Sequence, residues 1–145
     1  MKRGFTMLEL VFVIVVIGIL AGIAVPRLFV TRDDAVIAKA RGDIASIRSS
    51  IINRHNTDML SGVFAYPNLD SSATSEKLFD NVLQGGIKPK GTDDKTGWSR
   101  SGNEYTFTIA GQSVKFIYNN ANGSFDCRGD TDTTAKKNLC SQLTE

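Results

Sequence analysis

The sequence predicts an α+β protein in which one long, bent N-terminal helix packs on a small antiparallel β-meander. Three observations support this fold class. Of the 21 residues from Phe5 to Val25, 17 are apolar. A stripe of apolar side chains then recurs at helical spacing as far as Ile51, and from Tyr105 onward apolar side chains alternate with polar ones, as in a half-buried strand. The chain has 145 residues, enough for one core of modest size.

The first element is an apolar helix that is long enough to cross a membrane. At about 1.5 Å per residue, a helix over Phe5–Val25 spans roughly 31 Å, close to the thickness of a bilayer's hydrocarbon core. A cleaved secretory signal with a cut near Ala24, a plain membrane anchor and a more specialised segment all fit this length. Only the third explains Glu9, because a charge costs on the order of 2.5–3.5 kcal/mol at the centre of a membrane helix.

Glu9 needs a cationic partner, and its own helix does not supply one. No Lys or Arg stands three or four residues away from it, so the partner is a chain terminus, a lipid headgroup or another molecule. Gly18 and Gly22 form a G-x-x-x-G pair, which lets a second helix approach closely. Both features predict that this helix assembles with others.

Pro26 divides the long helix into two parts. Its ring meets the carbonyl of Gly22, which predicts a kink or a short non-helical stretch between these residues. The helix then resumes and runs to about Arg54 or His55, with one apolar stripe that packs on the rest of the chain and is too short for a coiled coil by itself. The stripe consists of Ile37, Ala40, Ile44, Ile47 and Ile51.

The remaining residues predict a small body of mixed structure. Residues 56–70 contain Gly and Pro and predict a loop. A short helix is expected from Thr74 or Ser75 through Gln84, because Gly85 and Gly86 follow an apolar cluster and close it. The two-residue period then predicts strands over 105–109 and 114–118, and a third over 124–127. A sheet of this kind covers the helical stripe with one face.

Charge and motifs exclude several classes of function. The chain has 17 Lys+Arg against 15 Asp+Glu, without a basic block, so it has no nucleic-acid footprint. The single histidine, His55, has only Asp58 near it at ligand spacing, which does not make a zinc site. No phosphate loop or nucleophile motif is present. We therefore predict that the chain is not an enzyme.

The C-terminal region contains a candidate disulfide and a candidate metal site. Cys127 and Cys140 enclose 12 residues, a loop that one disulfide could close, and such a bond would place this part of the chain in an oxidising compartment. Asp126, Asp130 and Asp132 are either ligands of a structural Ca²⁺ or solvated turn residues. No other cofactor is predicted.

The run from Lys2 to Leu10, followed by an apolar helix with Pro26, resembles the N-terminus of type IV pilins and of the pseudopilins of type II secretion and DNA-uptake systems. The resemblance covers about the first 30 residues. It implies that a prepilin peptidase cuts between Gly4 and Phe5, that Phe5 is then N-methylated, and that Glu9 neutralises the amino terminus of a neighbouring subunit. Phe5, Glu9, Gly18, Gly22 and Pro26 are the expected assembly residues.

The resemblance also implies a pilin-like division of the chain and a set of partners. Residues 1–4 are the leader, 5–26 the transmembrane or filament-core helix, 27–55 the amphipathic stalk and 56–145 the globular periplasmic part. The chain is expected to be anchored in a bacterial inner membrane by a single span, with its N-terminus cytoplasmic, and to polymerise into a filament that is periplasmic or on the surface. Partners are copies of itself, minor pseudopilins or pilins, the prepilin peptidase, a membrane platform protein and a motor ATPase.

The resemblance leaves the subfamily open. Many type IV pilins have a C-terminal loop bounded by a disulfide, as Cys127 and Cys140 would provide, whereas major pseudopilins often carry calcium in this region. A pseudopilin of secretion or DNA uptake is the main reading. A pilus subunit for adhesion or motility, and a secreted or anchored binding domain or enzyme, are the alternatives. DNA is a further candidate partner that no basic patch supports; its candidate contacts, or else solvated loop charges, are Lys88, Lys90, Lys95 and Arg100.

Overall fold

A computed structural model describes residues 4–128 and 134–145, without the side chains of residues 25–31. The chain divides into two compact units, Met1–Ala35 and Val36–Glu145. The predicted α+β class is confirmed, with an N-terminal apolar helix, a long helix and a four-stranded antiparallel sheet among the described residues. The elements are α1 (Met7–Leu60), β1 (Gly97–Ser101), β2 (Glu104–Ile109), β3 (Gln112–Asn119), β4 (Ser124–Arg128) and α2 (Thr134–Thr144).

The helix α1 is longer than the sequence predicts. It includes residues 22–26 without interruption and ends at Leu60 rather than near Arg54 or His55. The amide of Val63 donates to the carbonyl of Asp58 at 2.9 Å, and the amide of Gly62 donates to that of Met59 at 3.0 Å. Gly62 has φ 84°, so these bonds form a Schellman motif, which satisfies the last helical carbonyls. Gly62 is the residue in the sequence that indicates the C-terminal end of α1.

The strands form one antiparallel meander in the order β1-β2-β3-β4. β2, β3 and β4 agree with the three predicted strands, whereas β1 is an additional strand that pairs with β2 from Gly97↔Thr108 to Ser101↔Glu104. Ala110 and Gly111 connect β2 to β3 with φ 47° and 79°. Positive φ at both positions matches the right-handed twist of a tight hairpin.

The predicted stripe of α1 lies in the hydrophobic core. Ala40, Ile44, Ile47 and Ile51 are buried, and Ile37 is partly buried. The inward face of the sheet contributes a cluster of rings, in which Trp98 contacts Phe107 at a centroid distance of 5.1 Å and Phe116 at 5.3 Å. Full burial of one such side chain stabilises the fold by roughly 1.5–3 kcal/mol. The core rings are Phe79, Trp98, Tyr105, Phe107, Phe116 and Phe125.

The expected helix from Thr74 or Ser75 through Gln84 is wrong. This segment consists of turns, with one isolated antiparallel bridge between Leu78 and Ile87. Phe79 lies within it at φ 60°, a value that no α-helix contains. The apolar cluster therefore packs into the core through turns, which place Leu78 and Phe79 inside without helical periodicity.

The C-terminal helix α2 was not predicted from the sequence. It packs on the core through one face. Leu139, Cys140 and Leu143 are its buried residues. The predicted disulfide between Cys127 and Cys140 is present, with a Cα–Cα distance of 5.8 Å, and it fastens α2 to β4. The spacing of Leu139 and Leu143 at i and i+4 is the signal that indicates a short helix here.

Candidate functional site

The N-terminal unit presents an apolar helix surface. Residues Met7–Ala24 have a mean hydropathy of 2.8 and none of them is buried within the structure. By length and composition this is the one helix in the described part of the chain that could cross a membrane. Large side chains along it are open to the surroundings, such as Leu8 at 82% and Phe12 at 68% exposure. Such a surface needs lipid or other helices to cover it.

Thr6 and Glu9 form a reciprocal cap at the start of α1. The amide of Thr6 donates to Glu9 Oε2 at 2.8 Å, and the Thr6 hydroxyl donates to the same oxygen at 2.9 Å. The amide of Glu9 donates back to Thr6 Oγ1 at 3.2 Å. These bonds are a capping box, which satisfies amides that have no partner within the helix. The predicted assembly residue Glu9 therefore also caps the N-terminus of the helix.

The cap is compatible with cleavage between Gly4 and Phe5. It uses the amide and hydroxyl of Thr6, and both groups remain when the Gly4–Phe5 bond is cut. Gly4 is exposed and Phe5 is 85% exposed, so the bond at which cleavage is predicted is accessible. A sequence search for a lone charge identifies Glu9 but not this contact, although the T-x-x-E spacing is a known sign of it.

The two glycines leave room on the surface of the apolar helix. A Cβ atom added at Gly18 or Gly22 would meet nothing within 4 Å. The close approach of another helix is therefore unobstructed within this unit. The side chain of Pro26 lies outside the side chains that the structure describes, and its predicted kink stays a prediction.

Comparison with known proteins places these N-terminal features in a family context. The family model for the prokaryotic N-terminal methylation motif matches residues 1–25. The type II secretion system core protein G of Pseudomonas aeruginosa is 29% identical over 101 residues, which cover 70% of this chain and 61% of that protein. The protein of the same description from Pectobacterium carotovorum is 44% identical over 50 residues, covering 34% of this chain and 32% of that protein.

The chain carries the methylation motif and is homologous to pseudopilins and type IV pilins. The type IV narrow pilus major component PilA5 of Thermus thermophilus is 48% identical over 48 residues, covering 33% of this chain and 41% of that protein. The match therefore spans less than two thirds of each of these relatives. No solved structure gives a significant match. The resemblance that the first 30 residues suggested is confirmed.

The candidate calcium site is only partly within the described residues. Asp126 is described, and it pairs with Arg48 Nη2 of α1 at 3.4 Å. Asp130 and Asp132 lie outside the described residues. Among the residues that the structure does describe, no group of three or more His, Cys, Asp or Glu side chains could hold a metal ion.

The candidate cations for DNA are in different environments. Lys88 and Lys95 are exposed. Arg100 is different, because its side chain is 15% exposed and its Nη1 atom lies 2.6 Å from Asp70 Oδ2. The hydrogen bond to Asp70 raises the pKa of Arg100. Arg100 therefore neutralises a buried carboxylate and does not offer its charge to a phosphate.

Asp70 is a structurally important residue that the sequence analysis missed. Its carboxylate accepts from Arg100, from the Tyr105 hydroxyl and from the amide of Phe79, the last at 2.6 Å. Burial and the hydrogen bond to Asp70 raise the pKa of Tyr105. These contacts join β1, β2 and the loop of residues 61–96 between α1 and β1. Asp70 gives no sequence signal, because its partners are 9–35 residues away along the chain.

Proposed function

We propose that the chain is a filament subunit of the pseudopilin type, which polymerises through its N-terminal helix. The observation that carries this proposal is the combination, on one helix, of the methylation motif, a fully exposed apolar surface and a single carboxylate. A helix with this surface is stable in a membrane or in a bundle of similar helices. The homology to subunits of secretion systems and pili supports the same role.

The proposed maturation begins with a prepilin peptidase. This enzyme removes residues 1–4 and the new amino group of Phe5 is methylated; the chain is the substrate and performs no catalysis itself. The removed leader contains Lys2 and Arg3, so the mature chain has 15 Lys+Arg against 15 Asp+Glu. The basic excess of the full sequence is therefore a processing signal and not a sign of an acidic partner.

The proposed assembly uses Glu9 as the acceptor of a neighbour's amino terminus. The amino group of Phe5 in one subunit meets the Glu9 carboxylate of the next, and the charges neutralise each other in an apolar surrounding. An unpaired charge is costly in such a surrounding, so the pair sets the register between subunits. Gly18 and Gly22 let helices approach, and Pro26 lets the helix bend between bilayer and filament.

The proposed location is a bacterial inner membrane, with the N-terminus cytoplasmic and the C-terminal unit periplasmic. The disulfide between Cys127 and Cys140 supports an oxidising compartment for this unit. Minor subunits, a platform protein and a motor ATPase are the proposed partners in assembly. Asp126, Asp130 and Asp132 stay candidate ligands of a Ca²⁺ ion.

A type IV pilus subunit is the second candidate function. The disulfide-bounded C-terminal segment and the 48% identity to a pilus component over 48 residues favour it. Secretion is favoured by the longer match, 101 residues against 48. Both functions require the same polymerisation through the N-terminal helix.

The test separates the charge of Glu9 from its role as a cap. Glu9→Gln keeps the capping geometry, because Gln also caps at this position, but removes the charge. Thr6→Ala removes the two hydroxyl contacts of the cap, leaves the backbone amide of position 6 as a donor, and keeps the charge. With the cognate assembly machinery expressed, we expect Glu9→Gln to abolish filaments, as judged by shear fractionation and electron microscopy, and Thr6→Ala to retain them.

Intact mass distinguishes failed assembly from failed processing. Both variants and the wild type should lose four residues and gain one methyl group when a prepilin peptidase is present, and should remain whole without it. Normal filaments from processed Glu9→Gln would contradict the proposed pairing with the amino terminus. Cleavage near Ala24 instead of after Gly4 would contradict the proposed function as a whole.

A further inference from the structure

An open cavity of about 710 Å³ lies in the C-terminal unit, at the end of the sheet where the β1–β2 and β3–β4 turns meet the loop before β1. Its volume is within the range of small-molecule sites. The proposed filament role does not use it. We name it the amide groove, after the side chains on its rim, which are Asn68, Ser71, Ser72, Asn103, Asn119 and Asn120.

The amide groove offers no net charge to a ligand. The charged side chains that line it are Asp70 and Arg100, which pair at 2.6 Å and are only 5% and 15% exposed. The guanidinium of Arg100 also donates to the carbonyls of Ser72 and Ala73. The Arg100 side chain thus already donates its hydrogen bonds to groups within the protein. A charged ligand would have no free counter-charge within the groove, so a neutral one is favoured.

The rim combines hydrogen-bond donors and acceptors with an apolar patch. Each Asn amide provides both donor and acceptor groups, and Asn103, Asn119 and Asn120 are exposed. Asn120 Nδ2 donates to Asn68 Oδ1 at 3.1 Å and Asn119 Oδ1 accepts from the amide of Ala121 at 2.9 Å, so these amides keep part of their hydrogen-bonding capacity for a ligand. Half-buried Ile117 and Tyr118 also line the groove. A ligand that matches this pattern carries many hydroxyl or amide groups around an apolar C–H face. This is the chemistry of a neutral saccharide.

Hydrogen bonds within the protein hold the wall of the amide groove in place. The carboxylate of Asp80 accepts from the amide of Ser71 at 2.8 Å and from the hydroxyl of Ser75 at 2.6 Å. The Tyr118 hydroxyl donates to the carbonyl of Pro67 at 2.7 Å, and the Asn81 amide donates to that of Asn68 at 2.7 Å. A preorganised wall loses little entropy on binding. Long loops held in this way within a compact unit are commonly functional.

The geometry disfavours an extended peptide as the ligand. A peptide that binds along a sheet uses unpaired main-chain groups of an edge strand. The strand ends at this groove are already paired with one another, through Ser101↔Glu104 and Glu104↔Ile117. The groove therefore presents side chains and turn atoms rather than a free strand edge.

We propose that the amide groove binds a neutral oligosaccharide. The Asn side chains of its rim bond to sugar hydroxyl or acetamido groups, and the half-buried apolar surface at Ile117 or Tyr118 contacts the C–H face of a sugar. The inference is independent of the proposed filament role, because it rests on the C-terminal unit alone.

The test is a titration of the full chain, labelled with ¹⁵N, in a micelle whose detergent has no sugar headgroup. The probes are a trimer of β-linked N-acetylglucosamine, maltotriose and a neutral peptide. We expect at least one sugar to shift amide resonances of residues 68–73, 102–103 and 117–120. Asn103→Ala combined with Asn120→Ala should weaken binding about tenfold, since each lost hydrogen bond contributes modestly.

The control variant is Asn53→Ala, because Asn53 is an exposed asparagine on α1, outside the groove. It should bind sugar as the wild type does, and the fluorescence of Trp98 should be the same in all variants. Absence of resonance shifts with both sugars at millimolar concentrations would overturn the proposal. Shifts confined to other parts of the unit, or binding of the peptide alone, would also overturn it.

Discussion

The carboxylate of Asp70 should be among the most sensitive positions in the C-terminal unit. Its side chain is 5% exposed and accepts from Arg100, Tyr105 and the amide of Phe79. Asp70→Asn keeps the shape but places amide hydrogens opposite a guanidinium that only donates. The positive charge of Arg100, itself 15% exposed, then has no counter-ion.

The expected loss of stability follows from the cost of an unpaired buried charge. Removing one partner of a buried ion pair costs about 3–5 kcal/mol. Arg100 retains the carbonyls of Ser72 and Ala73, so we expect the lower end, about 3 kcal/mol. In the double variant Asp70→Asn with Arg100→Met no charge is left unpaired. It should be more stable than Asp70→Asn alone, with a coupling energy of about 1–2 kcal/mol.

The assay is urea unfolding of the full chain in micelles, followed by the fluorescence of the single tryptophan, Trp98, which lies in the core. The matched control is Glu104→Gln, which breaks the exposed ion pair between Glu104 and Lys115 at 3.0 Å. An exposed pair contributes at most about 1 kcal/mol. If Asp70→Asn costs no more than Glu104→Gln, or if the two substitutions at Asp70 and Arg100 are additive, the ion pair between Asp70 and Arg100 does not stabilise the unit as described.

Three further predictions concern other contacts of the same unit. Burial raises the pKa of Asp80, but hydrogen bonds from Ser71 and Ser75 outweigh burial and lower this pKa from 3.8 to about 2. The ionised carboxylate should therefore stabilise the fold above pH 4, and acid unfolding curves should show this stabilisation being lost towards pH 2. Asp80→Asn should flatten that part of the pH profile. Replacing Cys127 and Cys140 by Ser, or adding a reductant, should lower the free energy of unfolding in urea by roughly 3 kcal/mol. An unchanged urea midpoint would show that the disulfide does not stabilise the packing of α2. Gly123→Ala should cost about 1–3 kcal/mol in the same assay, because Gly123 has φ 72° and the new Cβ would overlap the Tyr66 ring. Its control is Gly111→Ala, where φ is 79° but the space is open.

The parts of the fold that sequence predicts correctly depend on local patterns. The stripe of α1 has a regular period and is buried as predicted. The alternation in β2 and β3 gives their bounds to within one or two residues. The N-terminal processing motif is contiguous in the chain. In these segments the signal lies within a few residues of the structure that it predicts.

The parts that sequence misses depend on distant partners. The segment from Thr74 to Gln84 has helix-like apolar spacing, yet the side chains of Asp70 and Asp80 bind its amide and hydroxyl groups and stabilise turns instead. In β1, Trp98 is the single buried residue of the strand, so no alternation appears. Its indole donates to Asp43 of α1 at 3.2 Å, across 55 residues. Tertiary contacts decide these elements, and a local pattern cannot contain them.

Glu9 and the amide groove differ in the same way, because local sequence determines the first and distant contacts determine the second. Glu9 is recognisable from sequence because it is an isolated charge in an apolar run, and its cap to Thr6 is equally local. The amide groove is formed by two turns and the loop before β1, which come together only in the folded unit and are held by Asp70 and Asp80. Loss of the hydrogen bonds that Asp70 accepts should therefore weaken sugar binding while leaving the N-terminal helix and its assembly unaffected. A variant in which Asp70→Asn abolished filaments but kept sugar binding would contradict the independence of the two sites.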